Sequence, residues 1–208
     1  MRNQWILAGM LTAAIVAGAG RAAAIQLSPV MAETYAVQTP STPPTASNMM
    51  VCYGFVCRRR VMLDFTPGDR AALAGLLAAG RGSPAAERRA VQQAVVWFDR
   101  RVGRLIGTTA RVARADFRAS NPAGNFDCFD TTRNTMGLLL VLQEGRLLRH
   151  HTVADPRHRG RVLIGQTPHN TAVLRERASG QHWAIDMWTK AYGQLPDIMT
   201  VEKWLTED

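Results

Sequence analysis

Cys128, His169 and Asp186 follow one another in the order of a nucleophile, a base and an orienting carboxylate. A free thiol has a pKa near 8.5, so little of it is the reactive thiolate at neutral pH. A helix amino terminus favours the anion through its unpaired N–H groups and the positive end of its dipole. An imidazole in reach takes the thiol proton and later returns it to a leaving amine. A carboxylate behind the imidazole sets its tautomer and stabilises the imidazolium. The three residue types together therefore point to acyl transfer through a thioester.

The other residues that could do chemistry are read against this. His150, His151, His158 and His182 join His169 as potential metal ligands, but no pair has the i, i+4 spacing of a helical zinc site. His150 and His151 would point to opposite faces of a strand. The reading is no metal and no cofactor. Cys52 and Cys57 flank Gly54, which allows a tight turn, and in an oxidising compartment they are expected to pair as a disulfide. A metal pair is the rival, without a second Cys/His pair to complete it. Pairing leaves Cys128 as the odd thiol. Alone, a free cysteine is most often a small buried hydrophobe; with His169 and Asp186 it reads as a nucleophile.

The elements that must position these side chains follow from local signals. Thr66-Pro67 and Ser83-Pro84 each place a capping hydroxyl before a proline at the first helical position. The first predicts a helix ending at Gly80. The second opens a stripe of Val91, Val95, Phe98, Val102 and Ile106 that ends at Gly107. These two helices should pack as a pair, with Gln92, Asp99 and the arginines on the solvated face. A third helix starts near Asp127, its expected N-cap, and carries Cys128 in its first turn. Met136, Leu139, Leu140 and Leu142 form its core side, and Gly145 ends it. Asp130 suits the first helical turn, and Asn134 reads as a polar helix neighbour. Alternating residues predict short strands at Val51–Phe55 and Val61–Phe65. Further strands are expected at 150–153, 161–164, 169–177 and 182–188, with turns at Asp155-Pro156, Gly165 and Ser179-Gly180. Trp183, Trp188, Tyr192 and Trp204 could line a cleft or simply fill the core. Helices first and strands afterwards make the class α+β.

The ends of the pattern bear on location. Arg2 precedes an uncharged run from Asn3 to Gly20, followed by Ala22-Ala23-Ala24, which reads as a signal peptide over 1–24, with an uncleaved membrane anchor as the alternative. Residues 25–48, rich in Pro and Thr, read as a linker, and 49–208 as a single domain. The chain should be periplasmic or secreted, or else anchored to the inner membrane facing the periplasm, with membrane contact only through its amino-terminal segment. Its 25 Lys+Arg against 16 Asp+Glu give a net charge of +9, nearly all from arginine. Such a balance suits anionic surroundings such as a cell-envelope polymer. Arg58-Arg59-Arg60 is too short for a nucleic-acid arm, and no basic stripe alternates with aromatics, so no specific nucleic acid is expected.

The segments Asp127-Cys128-Phe129-Asp130, His169-Asn170-Thr171-Ala172-Val173-Leu174 and Trp183-Ala184-Ile185-Asp186 resemble the transglutaminase-like cysteine proteins of the papain-like superfamily. The resemblance spans about residues 120 to 190. It implies a nucleophile helix packed on an antiparallel sheet, here preceded by the amino-terminal helical pair. It also implies Cys128 as nucleophile, His169 as base and Asp186 as orienting acid. In that reading Cys128 forms a thioester on a peptide or protein substrate. The oxyanion would be held by the Cys128 N–H and a second donor, for which Asn125 and Asn121 are candidates. Hydrolysis as a peptidase or amidase is the expected outcome. A transamidase, or a non-catalytic envelope module of the same fold, are the alternatives.

Overall fold

The computed structural model describes residues 25, 27–38, 42–115, 124–160 and 166–207. The expected signal peptide, Asn121 and the expected strand at 161–164 lie outside them. Among the described residues no helix is long and apolar enough to cross a membrane.

Helix boundaries fall where the capping chemistry puts them. Helix α1 (Pro29–Glu33) is capped by Ser28 and runs on into a π-helical turn, Thr34–Gln38. Helix α2 (Pro67–Ala78) opens with a capping box: the Thr66 hydroxyl accepts the Asp69 N–H, and the Asp69 carboxylate accepts the Thr66 N–H. Helix α3 (Pro84–Ile106) starts at Ser83 and ends at Gly107, whose φ of 73° is the left-handed cap that glycine adopts without strain. Val91, Val95, Phe98 and Val102 are buried, and α2 packs on α3 as expected. Helix α4 (Cys128–Glu144), capped by Asp127, is buried on every side from Met136 to Leu142. That pattern belongs to a central helix with a packed layer on each face.

Two antiparallel sheets supply those layers. Strands β1 (Asn48–Tyr53) and β2 (Arg59–Asp64) form the smaller one. Strands β3 (His151–Arg159), β4 (His169–Glu176), β5 (His182–Asp186) and β6 (Asp197–Thr200) form the larger, in that order. Gly180, at φ 75°, turns the chain between β4 and β5, the hairpin the sequence predicts. Alternation then divides the side chains: Ala172, Leu174 and Ile185 join the main core with α4, whereas Val173 and Ala184 pack with Val201 and Trp204 of α5 (Val201–Thr206) on the opposite face. The chain is therefore a mixed α+β fold with a buried helix against an antiparallel sheet.

Several expectations need correction. Residues 25–48 are not a free linker, because Ile25, Met31 and Tyr35 are buried in the main core. Ser28-Pro29 is the same cap-and-proline signal that opens α2 and α3, and the Arg133 guanidinium lies 3.9 Å over the Tyr35 ring. The folded body thus starts well before Met49. Asp155-Pro156 is no turn but sits in a β-bulge inside β3, between Ala154 and Arg157. An edge strand tolerates the missing N–H of proline at such a point. Strand β6 and helix α5 were not anticipated at all. Nor is the polar face of α3 simply solvated. Gln92 donates to the Pro196 carbonyl, Asp99 accepts from Arg111 and from the Gly193 N–H, and Arg88 lies over Trp183 while pairing with Glu176.

Candidate active site

His169 is the first residue of β4 and Asp186 the last of β5. Ala172 pairs with Ile185, so continuing that register sets Asp186 across from Thr171, with His169 one diagonal step away on the same face. The imidazole Nε2 and the Asp186 Oδ2 are 2.5 Å apart, and both residues are 2% exposed. Two further donors converge on the carboxylate. The Trp204 indole N–H reaches Oδ2 at 2.8 Å, and the Trp188 backbone N–H reaches Oδ1 at 3.1 Å. Burial opposes ionisation of Asp186, but His169, Trp204 and Trp188 outweigh it and hold its pKa below the ordinary carboxylate value. An ionised carboxylate only accepts, so Nε2 carries a proton, and in the neutral imidazole Nδ1 presents a lone pair. Nδ1 is buried and, among the described residues, has no hydrogen-bond partner. The ring itself is held between two indoles, with centroids 4.6 Å from Trp188 and 5.3 Å from Trp204.

Cys128 opens α4, and among the described residues its sulfur makes no hydrogen bond to the His169 ring. The sulfur lies 3.9 Å from the Pro168 carbonyl oxygen and faces the Asn170 N–H. The backbone on both sides of His169 therefore clasps the sulfur, which is half-buried. Burial pushes the thiol pKa up to about 11; the Asn170 N–H opposes this, and the Asp127 and Asp186 carboxylates add to it. The preference of the helix terminus for the anion is thus opposed. Desolvation and two neighbouring negative charges outweigh the helix terminus.

The disulfide loop turns out to support the helix that carries Cys128. Cys52 and Cys57 are bonded, as expected, and residues Gly54 to Cys57 are all left-handed, with φ of 79°, 68°, 46° and 57°. Consecutive left-handed residues aim their N–H groups into one concavity that suits an anion. Here the anions are carboxylates of the first turn of α4: Phe55 and Cys57 donate to Asp130 at 2.8 and 2.7 Å, and Val56 donates to Asp127 at 2.8 Å. Burial and the Asp127 charge nevertheless raise the Asp130 pKa to about 7. Asn134, read as a polar helix neighbour, instead exchanges two hydrogen bonds with the Cys52 backbone of β1. Nothing local in the sequence signals this clamp, apart from acidic residues at a helix start facing a disulfide-sized cysteine spacing. Cys52, Cys57 and Asp130 do come together as ligand types. The sulfurs are bonded to each other, however, and both Asp130 oxygens accept backbone N–H groups, so those donors are already engaged.

Asn125, one of the two oxyanion candidates, is buried. Its side-chain oxygen accepts the Val112 N–H at 3.3 Å and its carbonyl accepts the Gly54 N–H at 3.2 Å, so it braces two loops next to the site. The Cys128 N–H, at the first helical position, is among the N–H groups that a helix leaves without an intrahelical partner.

A cleft of about 480 Å³ opens over His169, lined by Arg114, Arg159, Gln166, Trp188, Thr189 and Glu207 among others. Its wall is built by tying two loops together. Arg114 donates its N–H to the Trp188 carbonyl, the Trp188 indole donates to the Ala115 carbonyl, and Arg111 spans the Lys190 carbonyl and Asp99. Three of the other four histidines are engaged separately. His151 Nδ1 is 2.8 Å from the buried Glu87, His150 lies against the Arg81 carbonyl, and His158 against Asn170. Trp188 and Trp204, legible in the sequence only as cleft-lining or core-filling aromatics, turn out to hold the imidazole and its carboxylate.

Comparison with known proteins adds no relative to this geometry: no protein-family model, no curated protein and no solved structure matches the chain.

Proposed function

We propose that the chain is an exported cysteine hydrolase, a peptidase or amidase of transglutaminase-like type within the papain-like superfamily. One observation carries the reading. A buried imidazole is bound through Nε2 to an ionised carboxylate and keeps Nδ1 unpartnered among the described residues, while a free cysteine sulfur lies against the backbone on both sides of it. A purely structural histidine of this burial would be expected to use both nitrogens.

The high thiol pKa shapes the mechanism. With the sulfur protonated at rest, His169 Nδ1 removes its proton as Sγ attacks the substrate carbonyl carbon. General-base assistance thus replaces a standing ion pair. The tetrahedral oxyanion would meet the Cys128 N–H at the α4 terminus. Collapse breaks the C–N bond, the amine leaves with the imidazolium proton, and a thioester remains on Cys128. Water, deprotonated by the same nitrogen, then releases the carboxylic acid and restores the thiol. An amine in place of that water would give transamidation. Asp186 acts through His169, as a positioning residue that compensates the imidazolium charge.

The Cys52–Cys57 disulfide fits the oxidising compartment that the amino-terminal segment suggests. A non-catalytic envelope module is favoured by one feature, the thiol pKa of about 11. Labelling with a thiol-reactive amide probe separates the two. Loss of labelling in Cys128→Ala together with a sharp fall in His169→Ala supports the hydrolase. Equal, slow labelling of wild type and His169→Ala supports the binding module.

A further inference from the structure

We propose that the cleft over His169 is a carboxylate subsite, in which Arg114 and Arg159 hold an acidic group of the substrate beside the amide to be cleaved. The assignment of the amide rests on the hydrolase reading; the binding of the anion does not. Both guanidinium-bearing residues line the same cleft as the imidazole. Arg114 is exposed, and its backbone is held at φ 51° by the N–H bond to the Trp188 carbonyl. A left-handed arginine is an uncommon conformation that the surrounding structure must maintain. Arg159 lies 4.5 Å over the Trp204 ring and donates to the Trp204 carbonyl. Among the described residues neither arginine forms an ion pair. The carboxylate at the cleft rim, Glu207, already faces Lys203 at 3.7 Å. Among the described residues the cleft therefore presents two guanidinium groups without an ion-pair partner beside His169, and their planar donors suit a carboxylate.

A carboxylate can come from an acidic side chain or from a free chain terminus, and matched alkylating probes distinguish the two. N-iodoacetyl-glycine and its amide differ only in a terminal carboxylate. The amides of N-iodoacetyl-aspartate and N-iodoacetyl-asparagine differ only in a side-chain carboxylate. In each reaction the Cys128 sulfur forms the S–C bond, iodide leaves with the C–I electrons, and the thiol proton passes to His169 or solvent. At least one acidic probe is expected to label Cys128 about five-fold faster than its neutral partner at low salt, the size of a modest charge–charge contact. The faster pair identifies the source. The ratio should fall part of the way in Arg114→Gln, and to about one when Arg159→Gln is added. Because Arg159 packs on Trp204, Arg114→Gln, at an exposed position, decides the matter alone if the double variant does not fold. Ratios near one for both pairs in wild type, or a preference untouched by Arg114→Gln, overturn the subsite. The neutral probes read the hydrolase separately. Labelling indifferent to His169→Ala with the ratio intact leaves an anion-binding cleft, as proposed. Labelling dependent on His169 with no ratio leaves a hydrolase without this subsite.

Discussion

Replacing Asp186 by asparagine tests the arrangement around His169 most directly. The carboxylate accepts three hydrogen bonds in a buried site, two at Oδ2 and one at Oδ1. Asparagine offers one acceptor and one donor. The cheaper orientation puts its oxygen where Oδ2 was, keeping His169 and Trp204, and sets its NH₂ against the Trp188 N–H. The Trp188 N–H and the new NH₂ then both lack an acceptor, at about 1–3 kcal/mol each, and the charge-assisted bond to His169 becomes neutral, at about 1 kcal/mol more. A loss of about 3–7 kcal/mol is expected at pH 7, against the reserve of a domain stable by about 5–15 kcal/mol. Alanine would strand all three donors and is a poorer probe. The pH dependence has a definite sign. Asp186 has a lowered pKa in the folded protein, so its contribution is complete above the unfolded value of about 3.9 and disappears as pH falls through the folded value. Urea unfolding of wild type and Asp186→Asn should therefore show the full gap at pH 7 and a narrowing one below about pH 4. A gap under about 0.5 kcal/mol at pH 7, or one that stays constant into acid, would refute the account.

Three other outcomes follow from the same geometry. In His169→Ala, where no imidazole assists, alkylation of Cys128 should rise about ten-fold per pH unit from pH 7 towards its pKa of about 11; a plateau already at pH 8 would contradict the raised thiol pKa. Reducing the Cys52–Cys57 bond should cost about 2 kcal/mol for so short a loop. It should also weaken amide-exchange protection in the first turn of α4, which the loop clamps, and unchanged protection there would argue against the clamp. Glu87→Ala strips a partner from the backbone N–H groups of Arg149, His150 and His151 and from the His151 ring. Thermal unfolding should register a loss of at least about 3 kcal/mol, and a loss under about 1 kcal/mol would show that water replaces the carboxylate.

Local chemistry made much of the chain legible. A capping hydroxyl followed by proline marks helix starts because it satisfies free N–H groups and removes one, and no distant residue is needed for that. The same signal at Ser28-Pro29 was masked by the Pro/Thr-rich composition around it. Whether such a short helix is kept depends on a surface to pack on, and here Met31 and Tyr35 find one in the core. Asp155-Pro156 misled in a similar way, since a turn dipeptide and an edge bulge share the same backbone preferences.

The sequence alone determined the order of chemistry-bearing residues and the elements that carry them: a cysteine at a helix start, a histidine opening a strand, an aspartate closing the next. These depend on caps, alternation and turns, which act over a few residues. Tertiary structure decided what those residues experience. The His169–Asp186 contact needs one particular strand register, and the Trp204 donor arrives from a terminal helix that only the packed sheet brings back. The thiol pKa depends on how much water and how many charges surround the sulfur, and both are set by chain segments far away in sequence. Electrostatics and desolvation act through space, so their magnitudes could be read only once the chain had folded.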